Sequence, residues 1–211
     1  MDEFAQIAQE RTMLADVLDG LTEDQWQTQS LCSAWTVHDV AAHLLMPLVT
    51  PTYKVIAVMA RHRMNWDRAN LSLTAAVSSR SNEEIVAGLC EKADSHFTPP
   101  GLGPQAPLTD VVVHGQDIRR PLGISRDIDP DRQLLILDFL TGPDASKGFS
   151  RKSLLANVKL HATDLNWTFG DGEIVSGPAE AIMMSLVGRG SALADLSGDG
   201  VAVLEQRLAT H

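Results

Sequence analysis

The spacing of the apolar residues is what most restricts this chain, because it is helical over most of its length and changes character only once. Phe4, Ile7, Ala8, Leu14, Ala15 and Leu18 recur at three- and four-residue steps, and Gly20 supplies a stop. Thr22 and Gln25 then form a capping-box pair, flanked by Leu21 and Trp26 as a hydrophobic staple. The same signal repeats with Thr36 and Asp39, flanked by Trp35 and Val40, and the helix it opens runs into VAAHLLMPLV before Pro47 and Pro51 bend or break it. After a polar stretch from Asn65 to Ser81, Ile85, Val86 and Leu89 make another helical stripe that ends before the loop TPPGLGPQAP. QLLILDFL, residues 133–140, offers one more helix, so four or five helices of bundle length are expected to fill residues 1–142.

The segment LTDVVVHGQDIRRPLG, residues 108–123, is ambiguous at first. Its three valines favour a strand, whereas the interval of four between Asp110 and His114 fits one face of a helix. On a strand the two would stand about 13 Å apart, against about 6 Å on a helix. Only the helix lets both touch one ligand, and Pro121 and Gly123 would end it.

From Leu154 onward the pattern changes. VKLHATDLNWTF alternates in part, Gly-Asp-Gly follows at 170–172, and EIVS reads as a return strand, which together predict a hairpin. Pro178 opens a helix over AEAIMMSLV, and a second Gly-Asp-Gly at 198–200 precedes a closing helix over VAVLEQRL. The fold class expected is therefore mostly α: a helix bundle over residues 1–148 followed by a small α+β domain over residues 149–211.

Composition excludes several function classes. The net charge of −10 disfavours a nucleic-acid partner, since phosphate binding needs a basic patch. No apolar run is long enough to span a bilayer, so no membrane partner is expected and the protein is placed in the cytoplasm. Cys32 and Cys90 form no CxxC pair and read as reduced thiols.

His43 has two readings. It is a core histidine satisfied by a backbone carbonyl or merely a surface residue, or it is a ligand. Asp110 and His114 likewise form either an exposed i, i+4 ion pair or part of a site. Two imidazoles and a carboxylate converging on one divalent ion make a three-ligand set that leaves positions open for water or substrate, as catalytic metal sites do. Helices of a bundle can bring such groups together from distant parts of the chain. Asp39 and Asp117 compete as direct ligands, or orient the imidazoles of His43 and His114 from behind, the role preferred for Asp117. Cys32 precedes the capped helix, where it is either a thiol of lowered pKa or an inert buried one. His38, His62, His96, His161 and His211 lack any partner spacing and read as surface residues.

The strings DGLTEDQWQTQSLCSAWTVHDVAAHLL, VVVHGQDIRRPLG and ATDLNWTFGDGEIVSGPAEAIMMSLVGRGSALADLSGDGVAVLEQRL resemble the actinobacterial mycothiol-dependent maleylpyruvate isomerase family. The resemblance implies a DinB-like four-helix bundle that binds a divalent metal, usually zinc, with a small C-terminal domain attached. It implies that the ligands are a histidine on the second helix, here His43, and a carboxylate and a histidine four apart, here Asp110 and His114. Asp110 stands where the family has a glutamate, and its side chain is one methylene shorter. The implied function is a mycothiol-dependent isomerisation or S-transfer on a small electrophilic substrate. The alternative is a non-catalytic metal or small-molecule binding protein on the same scaffold. A homodimer is compatible with either.

Overall fold

Capping chemistry sets where the first helices begin and end. The computed structural model describes residues 2–210, which leaves His211 outside the described residues. Helix α1 (Glu3–Asp19) stops at Gly20, whose N–H donates to Val17 O at 3.2 Å. Reciprocal side-chain and backbone bonds between Thr22 and Gln25 open α2 (Glu23–Trp26), and those between Thr36 and Asp39 open α3 (Val37–Val49). Pro47 lies inside α3 rather than ending it, and Pro51 becomes the N-cap of α4 (Thr52–Arg61).

The stretch read as polar is itself helical. Asn65 Oδ1 accepts from Arg68 N at 2.9 Å and starts α5 (Trp66–Val77), which buries Ala69, Leu73 and Val77 at steps of four. A Ser81–Glu84 capping box opens α6 (Asn82–Glu91). Helix α7 (Gln105–Arg119) takes in the valine run, so the helical reading of that segment holds, and α8 (Pro130–Thr141) follows. Four or five helices were too few. Helix α4 buries none of its side chains, and α5 hides a narrow apolar stripe among polar residues, so neither carries a strong periodic signal.

The chain divides into two compact units, residues 1–100 with 110–125, and residues 101–109 with 126–211. In the first, α1 packs on α6, α3 packs on α5 and α6, and α4 packs on α5. Ile7, Leu14, Leu18, Leu45, Ile85 and Leu89 are fully buried between these helices. Gly88 permits the close approach of α6 to α3, because a Cβ there would stand 2.8 Å from Leu45 Cδ2. Arg11, buried on α1, closes the end of α6: its Nη1 donates to Ala93 O at 3.0 Å and Ser95 O at 2.8 Å, and reaches Lys92 O at 3.4 Å. These carbonyls belong to the turn that leaves the C-terminal end of α6, and a buried cation there suits the negative end of the helix dipole.

The second unit contains α9 (Lys152–Leu155), three strands, α10 (Ala179–Leu186) and α11 (Gly200–Ala209). Helix α8 belongs here, ahead of the 148/149 division expected from sequence, because it packs on α10. Strand β1 (Val158–Ala162) is central. It pairs antiparallel with β2 (Trp167–Phe169) and parallel with β3 (Glu173–Gly177), in the order β2-β1-β3. The expected hairpin through Gly-Asp-Gly is therefore replaced. The hairpin is β1–β2, and residues 170–172 carry the chain across the start of β1 to its other edge. Gly172, at φ +131°, passes so near that a Cβ would stand 2.4 Å from the Asn157 carbonyl, which explains the glycine.

No single helix among the described residues is long and apolar enough to cross a membrane. Helices α3 and α4 pass that test only as a pair bent by 117° at the break between them.

Candidate metal centre

Residues Asp110, His114 and Asp117 fall at i, i+4 and i+7 of α7 and so share one face. The capping box at Thr36 fixes the start of α3 and places His43 two turns in, facing them. His43 Nε2 lies 3.9 Å from Asp110 Oδ1, and His114 Nε2 lies 3.5 Å from the same oxygen. One ligand atom from each of His43, Asp110 and His114 can be chosen such that all three fall within 4.8 Å of one another. The shorter aspartate therefore reaches both imidazoles without a glutamate's extra methylene. Its carboxylate is 31% exposed, whereas each imidazole is 12% exposed, so the cluster opens to solvent on the Asp110 side.

Both imidazoles are braced from behind. His43 Nδ1 lies 3.4 Å from Thr74 Oγ1 on α5, and its ring stacks on Trp35 with centroids 4.7 Å apart. His114 Nδ1 donates to Asp117 Oδ2 at 2.9 Å, and the Asp117 side chain is fully buried. Neither Trp35 nor Thr74 was singled out in the sequence as part of a site; Trp35 drew notice only as a staple residue. Trp35 stands before the N-cap of α3, outside the helix, so no helical phase relates it to His43.

The competing ligands are separated by the same geometry. Asp39 Oδ2 accepts from Thr36 N at 3.0 Å and from Thr36 Oγ1 at 2.8 Å, so its carboxylate belongs to the helix cap. Cys32 does have neighbours, Asp117 Oδ2 at 3.1 Å and His114 Nδ1 at 3.8 Å. His38 is not a bare surface residue, since its ring nitrogens lie 2.7 Å from Asn82 Oδ1 and 3.0 Å from Ser78 O. His62 meets Ser72, His96 stacks on Phe4, and His161 is exposed on β1.

Charge is strongly coupled within the cluster. Burial opposes charging of His114, but hydrogen bonds to Asp117 and Cys32 and the charges of Asp110 and Asp117 outweigh it, raising its pKa from 6.5 to about 10. Burial also opposes ionisation of Asp110, and the His43 hydrogen bond with the charges of His114, His43 and Arg11 overcomes it, holding the carboxyl below its ordinary value. In the ion-free chain, the stability contributed by His114 is therefore fully present below pH 6.5 and lost as pH rises through about 10. Asp110 contributes above the ordinary carboxylate range, and that share is lost as pH falls below it. Urea unfolding of ion-free protein should show wild type weakening from neutral pH toward pH 10 more steeply than His114→Gln. Parallel slopes for the two proteins would contradict the assignment.

Residues 7–80, which include Cys32, Trp35 and His43, match the family model "Mycothiol maleylpyruvate isomerase N-terminal domain". The crystal structure of the mycothiol-dependent maleylpyruvate isomerase aligns with 94% of this chain and 96% of its own, at 17% identity and a TM-score of 0.52, which is a likeness of fold. A structure of a mutant of that enzyme aligns over the same shares at 18% identity and a TM-score of 0.46. No curated protein matches the chain. Residues 7–80 thus resemble the mycothiol maleylpyruvate isomerase N-terminal domain, in a mostly helical chain that shares the fold of the mycothiol-dependent maleylpyruvate isomerase.

Proposed function

We propose that this chain is a cytoplasmic, divalent-metal-dependent isomerase or S-transferase that uses mycothiol as thiol cosubstrate on a small electrophilic substrate. His43, Asp110 and His114 are its metal ligands, and zinc is its ion. The observation that carries the reading is the donor set itself: two imidazole nitrogens and a carboxylate oxygen, held within 4.8 Å of one another by two helices. Ligand atoms around a tetrahedral zinc stand roughly 3.3–3.6 Å apart, as follows from bond lengths of about 2.0–2.2 Å. The 3.5 and 3.9 Å separations in the cluster lie close to that range.

A divalent ion held there supplies Lewis acidity that lowers the pKa of a bound thiol. The chain's own residues prepare the place. Asp117 accepts a hydrogen bond from Nδ1–H of His114, which leaves Nε2 for the cluster, while Trp35 and Thr74 fix the ring of His43. Arg11 adds a positive charge that favours ionised Asp110.

Metal analysis of untagged protein, paired with mycothiol-dependent turnover of maleylpyruvate, tests the reading. Metal with thiol-dependent turnover supports it, metal without turnover favours a binding protein, and absence of metal ends it. In addition, Asp110→Glu should retain metal and raise thiol-dependent activity about 10-fold, the lower end of what changes around a metal produce. Metal loss in that variant would show that the site is shaped for aspartate alone.

A further inference from the structure

One loop braces both histidines. Residues 30–35 form a tight turn in which Ser30 N and Oγ both donate to Trp35 O, at 3.1 and 2.7 Å, and Trp35 N donates to Cys32 O at 2.9 Å. The turn is latched to α7, because Leu31 N donates to Asp117 O at 3.1 Å. At one end of it Trp35 stacks on His43, and beside the latch Cys32 reaches the side chain of Asp117.

We infer that Cys32 is a positioning residue: its S–H and the Nδ1–H of His114 converge on the same buried oxygen, Asp117 Oδ2, and together hold the His114 ring with Nε2 toward Asp110 and His43. The distances close a triangle, with 3.1 Å from Sγ to Oδ2, 2.9 Å from Nδ1 to Oδ2, and 3.8 Å from Sγ to Nδ1. An ionised carboxylate only accepts, so both neighbours must donate, and the sulfur must carry its proton. A thiolate 3.1 Å from that oxygen would place two negative charges in contact at a side chain without solvent exposure. Backbone bonds pre-place the cysteine, since Cys32 N donates to Ser30 Oγ at 3.1 Å, so little side-chain freedom is lost in holding the donor there. The consequence for metal affinity rests on the reading given under Proposed function; the consequence for His114 does not.

Three variants test it: Cys32→Ser keeps a donor, Cys32→Ala removes it, and Cys32→Val removes it while filling the space. Zinc affinity is measured by chelator competition. In metal-free protein, exchange of the His114 Nδ1 proton is followed by nitrogen-15 NMR, with thermal unfolding as a check on folding. The expected result is zinc binding weakened ~10-fold and proton exchange quickened by a similar factor in the Ala and Val variants, with Ser within ~3-fold of wild type in both. Wild-type exchange and affinity in folded Cys32→Ala would overturn the proposal, as would a Ser variant as impaired as Ala. Should wild type bind no zinc, the metal reading falls, and the exchange rates alone decide the role of Cys32.

Discussion

Single changes of His43, Asp110 or His114 to Ala are expected to weaken divalent-metal binding at least ~100-fold, the upper end of the losses seen when groups behind metal ligands are removed. Each change leaves two donors where the proposed site has three, and two donors hold an ion poorly against water. The fold is expected to outlast the metal, because Ile7, Leu14, Leu45, Ile85 and Leu89 bury the helix faces of this unit without help from the site. The variants need not unfold alike. His43→Ala also removes the ring under Trp35, and His114→Ala removes one donor to the buried Asp117 carboxylate. Metal per chain by elemental analysis, with circular dichroism for the fold, reads both quantities. Full metal content in His43→Ala and His114→Ala would move the site elsewhere.

The second large effect belongs to stability rather than chemistry. Arg11→Ala should destabilise the protein by about 3 kcal/mol, because a charged donor is withdrawn from the buried Ala93 carbonyl and the partly buried Ser95 carbonyl. The Ala93 and Ser95 carbonyls, 3.0 and 2.8 Å from Nη1, would be the first to lose their partner. Arg11→Lys should recover only part of this, since an ammonium group lacks the planar fork and sits on a stem of different reach. Denaturant titration measures the loss, and a change below about 0.5 kcal/mol, the size of an ordinary surface substitution, would show that the end of α6 is closed by something else. The same substitution removes a positive charge that favours ionised Asp110, so its carboxyl should titrate higher than in wild type.

What could be seen in the sequence was local. Thr22 with Gln25 and Thr36 with Asp39 announce helix starts because the bonding partners lie three residues apart. Asp110 and His114 likewise share a face by spacing alone. The bundle argument and the family resemblance placed His43 with them as an expectation, and in the structure the three side chains lie together. Partners set by tertiary packing left no such mark. Trp35 against His43, Thr74 behind it and Cys32 beside Asp117 come from before a helix, from another helix and from a loop, where no period relates their positions. The strand order failed for a similar reason. Gly-Asp-Gly is good turn chemistry, but whether a turn reverses a strand or carries it past a neighbour depends on which edge is still open, and here β1 offered both.

The first unit is discontinuous, and its boundary falls between the two halves of the cluster: Cys32, His43 and Thr74 come from residues 1–100, and Asp110, His114 and Asp117 from residues 110–125. During synthesis, the ribosome delivers one half well before the other. The early helices can collapse on their apolar faces as soon as they emerge, yet His43 must wait for α7 to return before it has a neighbouring imidazole. Closing a loop of that length costs chain entropy that grows only slowly with length, so the delay is a matter of order rather than of difficulty. A nascent chain halted after residue 100 would then hold His43 without Asp110 or His114, and the proposed capacity to take up an ion would arrive late, as a sign that the unit is complete.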